Sequence, residues 1–111
     1  MSMEKLNAMN GAPCACGRSH RFTADVVIGR GVVAQIPEYV KKHGGTKVFV
    51  LSDVNTYAAA GEQVCSVLRQ AEIPFSSYTF PQKKLEPDEG AVGSAVMHYD
   101  VSCDMIVAVG S

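Results

Sequence analysis

What this 111-residue sequence lacks narrows it first. No apolar run approaches the length that spans a bilayer, so a membrane helix is not expected. Met1 to Pro13 contains no apolar central stretch, so it does not read as a secretory signal. Charge of either sign is not in excess. The formal net charge of -1 leaves no basic footprint for nucleic acid or for an anionic membrane surface. There is no internal repeat and no low-complexity tract. The cytoplasm is therefore the expected compartment. With 47% hydrophobic and 19% charged residues, the composition is that of one globular domain with a real core.

Four cysteines are present, and without a secretory signal they read as reduced thiols. Cys65 falls in a helical pattern and Cys103 just before an apolar strand, positions where a thiol packs as a small hydrophobe. Cys14 and Cys16 lie with His20 in Cys14-Ala-Cys16-Gly-Arg-Ser-His20, after an aperiodic, polar opening expected to be a mobile tail. Two thiols and an imidazole in so short a span fit zinc. Structural zinc usually takes four protein ligands, with cysteines two to four residues apart. A surface turn pinned by Gly17 is the competing reading, and no metal ligand is assigned.

The stretch that organises the chain is Lys47-Val-Phe-Val-Leu-Ser-Asp53, β-formers ending on a carboxylate. Such a run reads as a strand buried on both faces of a parallel sheet. In these sheets ligands gather at the carboxyl ends of the strands, where the helices leave an opening. Asp53 stands where an acid accepts hydrogen bonds from a ribose and repels the extra phosphate of NADP. Capping of the next helix by Asp53, Asn55 or Thr56 is the plainer alternative.

The remaining elements alternate. Asp25 to Gly29 reads as a first strand, followed by a helix that starts near Pro37, since proline is tolerated in a first turn but not inside a helix. Lys41, Lys42 and His43 suit its negative end, and Gly44-Gly45 its stop. Thr56 to Ala71 carries an apolar stripe at helical spacing. Pro74 to Phe80 is expected as a third strand, with proline only at its start. Lys83 and Lys84 follow in a loop and read as solvated or as phosphate-neutralising. Glu86-Pro87-Asp88-Glu89 marks a helix start with Pro87 in the first turn and a buried stripe of Ala91, Val92, Ala95, Val96 and Tyr99. Asp104 to Val109 is expected as a fourth strand. Strand-helix alternation favours an α/β fold with parallel βαβ units.

Gly29-Arg-Gly31-Val-Val-Ala34 also fits the glycine fingerprint of dinucleotide-binding turns, with an acid a little over twenty residues on. Read this way, the chain is a self-contained, non-catalytic nucleotide-binding module.

Taken in order, Cys14-x-Cys16-Gly-Arg-x-His20, Val-Val-Ile-Gly29, Leu-Ser-Asp53-Val-Asn-Thr-Tyr57-x-Ala-Ala-Gly61, Glu86-Pro-Asp-Glu89-x-Ala-Val-Gly93 and Val-Ala-Val-Gly-Ser111 resemble one family. It is the sn-glycerol-1-phosphate dehydrogenase branch of the iron-containing alcohol dehydrogenase superfamily, the bacterial branch in particular. The resemblance implies a Rossmann-like nucleotide-binding domain of the dehydroquinate synthase/glycerol dehydrogenase type, spanning 23–111 after an N-terminal tail and Cys/His turn over 1–22. It implies NAD(H), with NADP(H) as the second option, and reduction of dihydroxyacetone phosphate to glycerol 1-phosphate. By the same resemblance Asp53 binds the adenosine ribose, Gly110 and Ser111 bind the diphosphate, and Gly29-Arg-Gly31 is an ordinary turn.

Two departures stand out. Ala108 replaces the first glycine of the family's Gly-x-Gly-Ser-Gly loop, where a methyl group restricts backbone approach to phosphate. The sequence ends at Ser111, so the expectation is a front portion truncated after the fourth strand and inactive alone. The divalent metal (zinc, nickel or iron) and its aspartate and two histidines are then expected in an absent C-terminal helical domain. No catalytic residue is assigned within the chain. The whole enzyme is expected to be a homo-oligomer, and a glycerol dehydrogenase of the same superfamily is the nearest alternative.

Overall fold

The structure is a computed structural model that describes residues 1–110. The chain divides into two compact units, Met1–Val32 and Val33–Ser111.

In the first unit the polar opening is not a structureless tail. Met3–Met9 forms a helix, α1, whose N-cap Ser2 accepts a 3.2 Å hydrogen bond from the Lys5 amide. One capping hydroxyl satisfies one of the amides a helix start leaves open, a local reward that apolar periodicity does not reveal. A hairpin-like turn follows, with an isolated antiparallel bridge between Pro13 and Ser19. The expected first strand, Asp25 to Gly29, is not a strand among the described residues. Val27 and Ile28 are exposed, at 37% and 47%. β-forming residues become a strand only when a neighbouring strand takes their backbone groups in a ladder, and no ladder includes this segment among the described residues.

The second unit is a three-stranded parallel sheet with helices on its faces. After a 3-10 turn (Val32–Gln35) at the boundary of the two units, it contains in chain order α2 (Ile36–Lys42), β1 (Val48–Asp53), α3 (Val54–Thr56), a π-helical turn (Tyr57–Gly61), α4 (Glu62–Gln70), β2 (Phe75–Phe80), α5 (Glu89–His98) and β3 (Met105–Ala108). The order across the sheet is β2-β1-β3, so the run singled out in the sequence is the central strand. Val48 lies opposite Phe75 on one side and Met105 on the other. Three parallel strands are present among the described residues rather than four, because the Asp25 to Gly29 segment contributes none. The architecture is the α/β, Rossmann-like one expected.

Successive side chains of β1 point to opposite faces of the sheet, and both faces are buried over Val48, Phe49 and Val50. Val48 and Val50 join Val40 of α2 and Val64, Cys65 and Leu68 of α4 in the main core, closed by Ile73. Phe49 lies on the other face, 2% exposed, with its ring 5.1 Å from Tyr99 in a T-shaped contact. Ser52 is buried yet satisfied, 3.3 Å from the Thr79 hydroxyl on the paired strand. Cys65 and Cys103 are buried and all four cysteines are free; burial pushes the Cys65 thiol up. Helix α2 carries Pro37 in its first turn and ends with Gly44 in the left-handed region (φ 77°), as its composition implies.

Helix α5 departs from expectation twice. Asp88 is its N-cap, accepting 2.8 Å from the Ala91 amide, so Pro87 stands before the helix rather than in its first turn. The carboxylate satisfies an open amide, which Pro87 has no means of doing. The expected stripe is not buried either. Val92 and Val96 are 62% and 69% exposed, and Ala91, Ser94 and Ala95 are half-buried. His98 stacks on Tyr78, 3.9 Å between centroids, fixing which side of the helix lies down.

Two carboxylates tie the amino ends of β1 and β3. Asp104 accepts from the Thr46 hydroxyl and from the Thr46 and Lys47 amides, the two amide bonds to Oδ1 being 2.9 and 3.1 Å. Asp100 accepts from the Ser102 and Ser76 hydroxyls and pairs with Lys47 at 2.9 Å. The Thr46 hydroxyl, then the Thr46 and Lys47 amides, lower the Asp104 carboxyl from 3.8 to about 2. Ser102, then Ser76 and Lys47, hold Asp100 well below the usual carboxylate range. A depressed folded-state value stabilises the fold above the unfolded value, and that contribution is lost as pH falls through the folded one. The urea midpoint is therefore expected to hold down to roughly pH 4 and to drop on further acidification toward pH 2. Asp100→Asn/Asp104→Asn should flatten that drop, and an equally steep drop in the double variant would count against these carboxylates.

Candidate cofactor site at the strand ends

The sheet presents its carboxyl ends at Asp53, Phe80 and the segment after Ala108. Asp53 does cap the helix that follows. Its Oδ1 accepts from the Asn55 and Thr56 amides at 2.8 Å each, and its own amide donates to the Thr56 hydroxyl at 2.9 Å. This reciprocal box immobilises the carboxylate at the mouth of the sheet. Both helix amides use Oδ1, so the cap does not require the second oxygen. Capping and ligand binding are thus compatible at one side chain.

Leu51 and Ala108 are paired across β1 and β3, and the Val109 amide donates to the Leu51 carbonyl at 2.8 Å. The pairing of β1 with β3 ends at Leu51 and Ala108, and Asp53 and Gly110 each follow it by two residues at the carboxyl edge of the sheet. Gly110 is exposed, and a Cβ built on it meets no atom within 4 Å. Ser111 lies outside the described residues. Ala108 is the last residue of β3, so its methyl belongs to the strand.

The loop after β2 is anchored beside Asp53, because Asn55 Nδ2 donates to the Lys83 carbonyl at 2.9 Å. Lys83 and Lys84 are both exposed. A depression of about 290 Å³ opens between this loop and the start of α5, lined in part by Gln82, Lys84, Glu86, Asp88 and Ser94. The Asn55 link escaped the sequence reading, since nothing in the local pattern joins positions 55 and 83. The reciprocal box at Asp53 and Thr56 had a signal in their three-residue spacing. The π-helical turn with its buried Gly61 had none: a Cβ there would meet Tyr57 Cδ2 at 2.9 Å.

The first glycine turn lacks the setting its fingerprint requires. No strand precedes Gly29, Gly31 is left-handed (φ 72°), and a 3-10 turn rather than a helix follows. Helix α2 begins only at Ile36, with Pro37 in its first turn. A dinucleotide turn needs a strand before it and a helix N-terminus directly after it. Gly29-Arg-Gly31 is an ordinary turn.

Cys14, Cys16 and His20 do come together in the first unit, with their donor atoms all within 4.8 Å of one another. Hydrogen bonds from Cys16, backbone first and then side chain, lower the Cys14 thiol. Among the described residues this is the one cluster of three metal-donor side chains. No helix is long and apolar enough to cross a membrane.

A sequence profile described as iron-containing alcohol dehydrogenase matches residues 27–111. The chain belongs to the iron-containing alcohol dehydrogenase family. Within this family of oxidoreductases, the chain is similar to a protein named glycerol-1-phosphate dehydrogenase (NAD(P)+) from Halalkalibacterium halodurans. The two are 29% identical over 103 residues, which is 88% of this chain and 26% of that relative. The chain thus spans about a quarter of the length of the curated relative it matches. No solved structure matches it. For an iron-containing alcohol dehydrogenase domain, the parallel sheet with an acid at the end of its central strand suits a nucleotide cofactor. The family's metal has no ligand set at these strand ends among the described residues.

Proposed function

We propose that this chain is the cofactor-binding part of an NAD(P)-linked sn-glycerol-1-phosphate dehydrogenase, acting in the cytoplasm on dihydroxyacetone phosphate. The observation that carries the reading is Asp53. It is fixed by its own helix cap at the open end of the central strand, and both cap amides use Oδ1, so the cap leaves Oδ2 unused. The name of the relative supports the substrate.

Asp53 accepts hydrogen bonds from the adenosine ribose hydroxyls, and its charge favours NAD(H) over NADP(H), whose 2′-phosphate it repels. Gly110 and Ser111 offer backbone amides to the diphosphate, Gly110 without a side chain to keep it away. The nicotinamide cofactor, when bound, would supply the hydride for reduction of the substrate ketone. A divalent metal (zinc, nickel or iron) would polarise that ketone, and we assign its ligands to residues other than those of this sheet. In the whole enzyme, a homo-oligomer on this reading, this chain's residues hold and orient the cofactor and leave substrate contacts to other segments.

The test is NADH oxidation by the whole enzyme with dihydroxyacetone phosphate or dihydroxyacetone. Turnover that depends on the phosphate is expected. Equal or faster turnover of the unphosphorylated ketone would move the assignment to a glycerol dehydrogenase. Absence of turnover with either would remove the substrate reading.

A further inference from the structure

Cys14, Cys16 and His20 belong to the Met1–Val32 unit and play no part in the cofactor reading. All three are exposed, so packing does not account for them. Their placement is nevertheless defined by backbone. The Gly11 amide donates to the His20 carbonyl at 2.8 Å, and the Ser19 hydroxyl donates to the Gly11 carbonyl at 2.7 Å. Inside that closure, the Cys14 amide donates to the Arg18 carbonyl and the Gly17 amide to the Cys14 carbonyl, both at 2.9 Å. Gly17 sits at φ 83°, a left-handed position that reverses the chain between the cysteines and the histidine. At the base, the Phe22 amide donates to Asn10 Oδ1 at 3.1 Å.

The turn therefore converges two thiols and one imidazole, with Cys16 Sγ 3.0 Å from His20 Nε2 and every donor within 4.8 Å of the others. Tetrahedral zinc, with Zn–S near 2.3 Å and Zn–N near 2.0 Å, needs donor separations of about 3.5–3.8 Å. The one short pair lies just below that range and no pair exceeds 4.8 Å, so closing on an ion takes side-chain adjustments of about an ångström. The single residue between the cysteines, awkward on paper, is accommodated because Ala15 and Cys16 are the two central residues of the turn closed from Gly17 to Cys14.

We propose that Cys14, Cys16 and His20 form a zinc site of two thiolates and one imidazole that staples this hairpin, with water in the fourth position. As each Zn–S bond forms, the thiol gives its proton to solvent, and the imidazole binds neutral through Nε2. Two thiolates cancel the charge of the ion. The donor softness suits zinc over magnesium or calcium, which take oxygen ligands.

The experiment uses the reduced chain dialysed against zinc, and against cobalt as a spectroscopic stand-in. About one zinc per chain is expected after dialysis. Cobalt should give thiolate charge-transfer absorption together with the intense visible bands of tetrahedral coordination. Cys14→Ser and Cys16→Ser should each lose the bound zinc and the charge-transfer band, and His20→Ala should weaken both. Cys65→Ser should keep both, with far-ultraviolet circular dichroism confirming that each variant is folded. Zinc should also shield Cys14 and Cys16 from alkylation. Metal-free chain after dialysis, cobalt spectra without a thiolate band, or zinc retained by folded Cys16→Ser would each overturn the site.

Discussion

Replacing Leu68 by alanine will lower the unfolding free energy of this chain by about 2–5 kcal/mol. Leu68 is fully buried, at 0% exposure, on the face of α4 that covers β1. Its neighbours in that core include Val40, Val48, Val50 and Val64. Truncation removes transfer free energy and leaves a cavity, since a strand paired on both sides and a helix behind it leave little scope for collapse. Small domains are marginally stable, so the loss is a large share of the total. The measurement is the urea midpoint beside Val92→Ala, a change at a 62% exposed position. Val92→Ala should shift the midpoint little. A comparable shift in both variants would mean that the α4 side is not the main core.

If Asp53 holds the cofactor ribose as proposed, Asp53→Ser will raise the KM for NADH of the whole enzyme about ten- to a hundredfold, the loss of a charge-assisted hydrogen bond of roughly 1.5–3 kcal/mol. Serine is chosen because it caps a helix about as well as aspartate, whereas alanine would cost about 1 kcal/mol of cap. The cap bonds to the Asn55 and Thr56 amides can be remade by a hydroxyl, so the melting temperature should stay near that of the parent. The KM for NADPH should fall relative to that for NADH, because the charge that repels the 2′-phosphate is gone. An unchanged KM together with an unchanged melting temperature would leave Asp53 as a cap alone. An equal rise in both KM values with a lowered melting temperature would mean that the substitution disturbed the loop as a whole.

The iron-containing alcohol dehydrogenase family was legible from short motifs in order, and the profile covers the residues that carry most of them. The cap at Asp53 was legible for a physical reason. An acid at the end of an apolar run sits at a strand end whatever the rest of the chain does, where it can cap the helix that follows. The Asn55–Lys83 bond that seats the neighbouring loop was not legible, because it joins segments 28 positions apart.

Local chemistry determined the elements whose cause lies within a few residues. Lys47 to Asp53 became the central strand because its β-forming residues suit burial on both faces, as Val48 and Val50 on one side and Phe49 on the other show. Pro37 placed the start of α2, and Gly44 its end, through backbone angles that need no partner. Tertiary structure decided what needed one. Asp25 to Gly29 has the composition of a strand and no ladder to join among the described residues. Val92 and Val96 lie on the exposed side of α5, while Ala91, Ser94 and Ala95 are half-buried and His98 stacks on Tyr78 of β2. Cys14, Cys16 and His20 were neighbours in sequence from the outset, but only the folded turn at Gly17 brought their donor atoms within reach of one ion, because reach depends on backbone path rather than spacing.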